Sequence, residues 1–172
     1  MRSYGARGAP PPDPGGAPRS EMTVLTPDLR RVDPAESDVV ADLWFTSRRA
    51  NAPAIPPAVH SYDEVREWMR ETVCCRMDVW LAQDERRRPL AMMALDGPTV
   101  DQLYVAPEAT GRGVGSRLLA LAKSGHTALE LWTFQSNRRA IGFYEHHGFR
   151  SVRRTDGENE ERSPDILLRW TR

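Results

Sequence analysis

The sequence predicts an α/β fold of the α+β kind, with one mixed, mostly antiparallel sheet of six to seven strands flanked by about four helices. Two observations carry this reading. Three short apolar segments, Asp78 to Ala82, Leu90 to Leu95 and Thr99 to Val105, follow one another with only the charged run 85 to 88 and the turn Asp96-Gly97-Pro98 between them. Such spacing is that of an antiparallel meander. Beyond the meander, apolar residues recur at helical spacing in two stretches, 114 to 122 and 140 to 147, with a short strand-like segment between them.

Taken in order, Leu29 to Val32 reads as a first strand, and Asp33, Pro34 and Ser37 supply cap and turn chemistry before Val39, Val40, Leu43, Trp44 and Ser47. That stripe predicts an amphipathic helix. Residues 50 to 60 hold three prolines and read as a loop, after which Ser61 and Glu64 form a capping box ahead of Val65, Trp68 and Met69. The meander follows, then the glycine-rich stretch Gly111 to Gly115, which opens a helix carrying Val114, Leu118, Leu119, Leu121 and Ala122. Ala128 to Trp132 is a strand. Ala140, Phe143, Tyr144 and His147 mark another helix, ended by Gly148 in a left-handed position. A final pair of strands, 150 to 154 and 165 to 170, flanks an acidic loop at 156 to 161. The predicted order is βααβββαβαββ, without an internal repeat.

At 172 residues the chain has room for one domain of ordinary size. Lys plus Arg and Asp plus Glu number 24 each, so no overall field draws the protein to nucleic acid or to an anionic membrane. The sequence holds no apolar run long enough to span a bilayer and no secretory signal at its start, which makes a cytoplasmic location the default expectation. Cys74 and Cys75, the two cysteines, are adjacent and read as reduced side chains, so neither a disulfide framework nor a metal site is expected. Residues 1 to 21 are dominated by Gly, Pro, Ala and Arg, with one aromatic, and read as a disordered tail; Met22 opens what looks like an ordinary domain start. The expected domain is 22 to 172.

Thr110-Gly-Arg-Gly-Val-Gly-Ser116 lies between a strand and a helix, where consecutive backbone N–H groups and a helix N-terminus surround an anion. Arg112 adds positive charge, and a diphosphate is a sensible ligand. Taken alone, the triplet reads equally as a tight turn needing positive φ. A Walker loop requires lysine after its last glycine, and Gly115 is followed directly by Ser116. A dinucleotide fingerprint requires a parallel βαβ unit and a different glycine spacing, although Glu130 mimics its ribose acid weakly.

The segment TVDQLYVAPEATGRGVGSRLLALAK resembles the acetyl-CoA loop of the GNAT superfamily of N-acetyltransferases: strand, Pro, then Q/R-x-x-G-x-G/A opening a helix. Thr110 stands where that motif has Gln or Arg. A second block, LELWTFQSNRRAIGFYEHHGF, resembles the superfamily's N-x-x-A-x-x-F-Y-x-x-x-G-F pattern through Asn137, Ala140, Phe143, Tyr144, Gly148 and Phe149. The resemblance spans about residues 29 to 170, and only in outline over 29 to 75. It implies a sheet splayed between strands four and five, with acetyl-CoA in the gap. It further implies that the pyrophosphate is held by Thr110, Gly111, Arg112, Gly113, Val114, Gly115 and Ser116. Leu103, Tyr104 and Val105 would offer strand-edge groups to the pantetheine and acetyl oxygen. Asn137 would bond the amide arm, with Phe143 beside it, and Tyr144 would be the general acid toward the sulfur. As plain residues, Asn137 reads equally as a helix cap and Tyr144 as a core aromatic.

Deprotonation of the amine points to Asp101, which alternates with Leu103 and Val105, with Glu145 as runner-up; His146 and His147 read as partners of a helix end. No histidine pairs visibly with Cys75, so direct transfer in a ternary complex is expected rather than an acyl-cysteine. The expected acceptor is a primary amine of a small molecule, cationic, antibiotic-like or a polyamine, with a protein or peptide amine as the alternative. A noncatalytic acyl-CoA-binding module is the rival class. Trp44, Phe45, Tyr62 and Trp68 offer an aromatic pocket, though helix-spaced aromatics more often form core. Asp156, Glu158, Glu160, Glu161 and Asp165 read first as a solvated hairpin loop and second as an attractor of cations. Monomer and homodimer are equally expected, with Trp170 as a candidate interface residue.

Overall fold

The structure is a computed structural model that describes residues 26 to 172; the tail expected over residues 1 to 21 lies outside the described residues. Seven strands form one sheet: β1 (Asp28–Arg31), β2 (Asp78–Gln83), β3 (Pro89–Asp96), β4 (Thr99–Val105), β5 (Ala128–Phe134), β6 (Arg150–Thr155) and β7 (Asp165–Thr171). Their spatial order is β1-β2-β3-β4-β5-β7-β6, with β7 inserted between β5 and β6. All neighbours run antiparallel except β4 and β5. This is the predicted mixed sheet, and β4 with β5 is its one parallel seam.

The helices are α1 (Ser37–Ala50), α2 (Tyr62–Trp68), α3 (Cys74–Arg76), α4 (Val114–Gly125) and α5 (Arg138–His146). Asp33 and Glu36 close a capping box over the single turn Pro34–Glu36 that leads into α1. Ser61 and Glu64 close the box expected at the start of α2. What reads as one second helix is interrupted by a wide turn, Met69–Val73, before α3. The interruption accompanies burial: Met69 and Val73 are fully buried and Cys74 nearly so.

Along β3, Ala91, Met92, Met93 and Ala94 are all fully buried. Successive strand residues point to opposite faces, so both faces of the sheet are covered. Trp44 on α1 donates through Nε1 to Gln102 Oε1 at 3.0 Å, which places α1 on the face of Gln102 and Tyr104. Gly115 on α4 sits against Val105 and Phe143, where an added Cβ would lie 3.4 Å from Val105 Cγ2, so α4 covers the opposite face. Trp170, considered above as an interface residue, packs over Gly148 and carries the Lys123 ammonium 4.8 Å above its ring. Among the described residues no helix is long and apolar enough to cross a membrane.

Candidate active site

β4 and β5 pair at one position, Thr99 with Glu130, supported by the bond from Glu130 N–H to the Pro98 carbonyl at 3.0 Å. Beyond that point the strands diverge. On its other side β4 is fully paired with β3, except that Ala94 faces Gln102 while Leu95 faces Val100, which leaves Asp101 as the extra residue of a bulge. A bulge re-aims the side chain it carries. Here it turns the exposed Asp101 carboxylate to the mouth of the gap, where it accepts from Gln102 Nε2 at 3.0 Å.

The gap opens into a cavity of about 430 Å³. Leu103, Tyr104, Val105, Thr110, Gly111, Gly113, Val114, Gly115, Ser116, Asn137, Phe143 and Tyr144 all line it, as does Asp101. Arg112 is in the loop, half-buried, but outside this lining. The loop's conformation explains its glycines. Gly111 and Gly113 have φ of +75° and +83°, the left-handed region closed to most side chains. Gly113 is the N-cap of α4 and offers no side chain to cap it. The first N–H groups of a helix lack partners within it, so those of Val114, Gly115 and Ser116 remain to serve an anion. Thr110, which departs from the motif, turns its hydroxyl back to the Ala106 carbonyl at 3.1 Å and so braces the loop.

Asn137 is a helix cap: its Oδ1 accepts from Ala140 N–H at 3.1 Å. The same buried side chain lines the cavity, leaving its Nδ2 as the atom to serve a ligand. Tyr144 is both core and cavity wall, 7% exposed, with its ring 5.5 Å from that of Phe149. Burial first, and the neighbouring Tyr104 second, raise its pKa well above the ordinary tyrosine range. It therefore holds its proton at neutral pH. Glu145 and His146 are exposed, and neither they nor His147 line this cavity or the next; His147 ties back to the Phe143 carbonyl through Nδ1 at 2.8 Å. The runner-up base is thus placed apart from Tyr144's cavity.

A second cavity, of about 710 Å³, opens on the α1 and α2 side. It shares Asp101, Gln102, Tyr104, Trp132, Thr133 and Phe134 with the first. Its remaining wall comes from α1, from the loop between α1 and α2, from α2 and the turn after it, from the loop between β6 and β7 and from the start of β7. Among the described residues that line it, seven are acidic: Glu64, Glu67, Glu71, Asp101, Glu160, Glu161 and Asp165. Arg48 is the one lysine or arginine among these described lining residues. Trp44 and Trp68 line this cavity, whereas Phe45 and Tyr62 pair with each other at 5.0 Å and border a separate hollow.

The loop between β6 and β7 is the hairpin its charge suggests, with Asp156, Glu158 and Glu160 exposed, and it is also ordered from within. Asn159 Oδ1 accepts from Ser163 N–H at 3.1 Å while its Nδ2 donates to the Ser163 carbonyl and to Asp165 at 2.7 and 2.8 Å. Gly157, at φ +112°, lies so close to Arg162 that an added Cβ would come within 2.7 Å of its backbone. These bonds fold the acidic residues into a fixed wall. Trp132, read above only as the end of a strand, is 44% exposed at the junction of the two cavities. An exposed indole within an interior strand was the one signal that marked it, and exposure is invisible in sequence.

A sheet opened at one parallel seam, with an uncapped helix N-terminus at one end of the opening and a buried tyrosine at its centre, is built to pass a long phosphorylated ligand through the domain. Residues 76–151 match the family model described as an acetyltransferase (GNAT) domain. Among curated proteins, the peptidyl-lysine N-acetyltransferase YiaC of Escherichia coli (strain K12) is 23% identical over 142 residues, covering 83% of this chain and 95% of the relative. The peptidyl-lysine N-acetyltransferase YjaB of the same strain is 28% identical over 130 residues, 74% of this chain and 85% of the relative. The solution structure of apo-form YjaB from Escherichia coli superposes with a TM-score of 0.70 at 25% identity, over 85% of this chain and 98% of that one. The sheet and its flanking helices have the GNAT fold, and the segment from the end of α3 through the start of β6 matches that acetyltransferase domain.

Proposed function

We propose that the protein acetylates a cationic primary amine, with a lysine side chain as the favoured acceptor, by direct transfer from acetyl-CoA in a ternary complex. The observation that carries this is the shared wall of the two cavities. One cavity has the anion-ready glycine loop and the other is rich in carboxylates, and they meet at Asp101, Gln102, Tyr104, Trp132, Thr133 and Phe134.

Each end of the reaction has a residue to serve it. Acetyl-CoA supplies the activated thioester when bound. The N–H groups from Gly111 to Ser116 are disposed to hold its diphosphate. The diverging edge of β4 at Leu103 to Val105 presents main-chain donors and acceptors to its arm. Tyr144, kept protonated by burial, is placed to give a proton to the departing sulfur. Asp101, re-aimed by its bulge into both cavities, is the carboxylate placed to receive the amine and take its proton directly or through water.

The acceptor class is supported by charge and by kinship. Seven carboxylates against one arginine favour an ammonium over a neutral or anionic amine. Both curated relatives named above are peptidyl-lysine N-acetyltransferases. The test is thiol release from acetyl-CoA by purified protein, with lysine peptides, spermidine, an aminoglycoside and an amine bearing a carboxylate offered in turn. The expected result is faster release with the cationic amines, and with lysine peptides above the rest. Preference for the small polyamine would keep the chemistry and move the acceptor to a free metabolite; equal rates with the anionic amine would remove the cationic assignment.

A further inference from the structure

Arg48 occupies an unusual place in the acceptor cavity. It is 8% exposed, and its neighbours come from separate parts of the chain. Its Nη2 pairs with Glu161 Oε1, 113 residues away, on a carboxylate that is itself only 17% exposed. Its Nε donates to the Pro56 carbonyl at 3.2 Å in the proline loop between α1 and α2. The guanidinium carbon lies 5.0 Å from the ring centre of Trp44 and 5.7 Å from that of Phe134. The guanidinium charge also acts on the nearby Tyr104 phenol, opposing the rise in pKa that burial causes there.

Burying a guanidinium is costly, and a buried ion pair is often no more stable than two well-packed apolar residues of the same size. Stability alone is therefore a weak reason for this arrangement. What the pair does achieve is connection. Among the described residues the proline loop and the β6 to β7 loop share no backbone bond around this cavity; the exposed pair His60 and Glu160 links them at the rim at 3.0 Å, and the buried Arg48 bonds to both beneath it. Planar guanidinium geometry suits this, because one side chain stacks on two rings while its edge donates in two directions.

On the reading of the site proposed above, we infer that Arg48 is a positioning residue for acceptor binding: it joins the proline loop and the β6 to β7 loop into one wall. It acts through these neighbours. Because its charge is matched by Glu161, it holds the wall without cancelling the carboxylates that face an incoming ammonium. Because it covers Trp44 and Phe134, the indoles of Trp132 and Trp68 are left as aromatic surface for the acceptor's alkyl stem.

The experiment compares wild-type protein with Arg48→Met, Arg48→Lys, Glu161→Leu and the double variant Arg48→Met/Glu161→Leu, reading KM for amine and for acetyl-CoA, kcat, and melting temperature. Arg48→Met is expected to raise the amine KM about tenfold or more, the scale set by misplacing a binding wall, with the acetyl-CoA KM within about twofold of wild type. The double variant is expected to regain melting temperature, since no lone charge stays buried, but not amine KM, since the Pro56 carbonyl and the β6 to β7 loop remain unheld. Recovery of both quantities would overturn the inference and leave Arg48 a purely structural residue. Hydrogen exchange gives a readout independent of turnover: in the double variant the segments 51 to 60 and 156 to 164 are expected to exchange faster together, and unchanged protection in both would also overturn it. If wild-type protein released no thiol with any amine, the function proposed above would fail, while the exchange result would still decide the role of Arg48.

Discussion

Where β4 passes into α4, the atoms that face the cavity are largely main-chain ones: the N–H groups of a helix start without a side-chain cap, two glycines at positive φ, and a strand edge left open by its neighbour. Across the gap, the acceptor cavity is bounded by side chains, Arg48 on Trp44 and Phe134, Glu161 against Arg48, and Gln102 between Trp44 and Asp101. A main-chain cradle is written in residue types and their spacing. A side-chain wall depends on contacts such as Trp44 with Gln102 and Arg48 with Glu161, 58 and 113 positions apart, which spacing does not reveal. The two halves also respond differently to substitution, and that difference is open to measurement.

The largest effect is expected where the halves meet. Tyr144→Phe removes the phenol while keeping the ring that packs on Phe149, so kcat should fall by about 10²- to 10⁴-fold, the range for losing a general acid. The melting shift with acetyl-CoA should survive. Unchanged kcat would assign the proton to another donor at the junction.

A smaller effect, confined to the main-chain half, is expected for Gly113→Ala. At φ +83° a Cβ costs about 1–2 kcal/mol, and any relaxation tilts the N–H groups of α4 away from the diphosphate. Steady-state kinetics should show a higher KM for acetyl-CoA with the amine KM unmoved. A change confined to the amine would break the division between the two halves.

Glu67→Gln tests the side-chain half alone. Glu67 lines the acceptor cavity on α2, and loss of one partly solvated charge interaction is worth about 0.2–1 kcal/mol. The amine KM should rise about two- to fivefold, with a weaker dependence on salt and no change for acetyl-CoA.

The smallest expected effect is one of pH. Because burial raises the Tyr144 pKa, the phenol stays protonated where an ordinary tyrosine, near 10, begins to ionise. Turnover should rise with pH as the amine loses its proton, without a falling limb below about pH 10. A decline centred near pH 10 would place an ordinary pKa on the acid, and one between about pH 8 and 9 a lowered one.

The division also explains what the sequence disclosed. Gly148 at φ +82°, the Ser61 and Glu64 box and the glycine loop are local devices whose residue types follow from backbone geometry. Asp101 was legible as a carboxylate on β4, but the bulge that aims it depends on pairing with Ala94 and Leu95 in another strand. Arg48 has no motif or spacing to mark it, and only burial against Glu161 and two rings gives it weight. The acidic loop is exposed at Asp156, Glu158 and Glu160 as its charge suggests, and what the residue types did not disclose is its order: Asn159 and Gly157 fix it through contacts within the loop and with Asp165. Trp132 was a strand residue of no special mark until its exposure placed it between the cavities.

The central claim is that two separate cavities hold two substrates at once and meet at β4 and β5. It is tested most directly by initial rates of thiol release with acetyl-CoA and a lysine peptide varied against each other. Intersecting double-reciprocal lines are predicted, as a ternary complex requires. Parallel lines, with acetyl label retained on the protein before amine is added, would contradict it and show that the acetyl group passes through the enzyme itself.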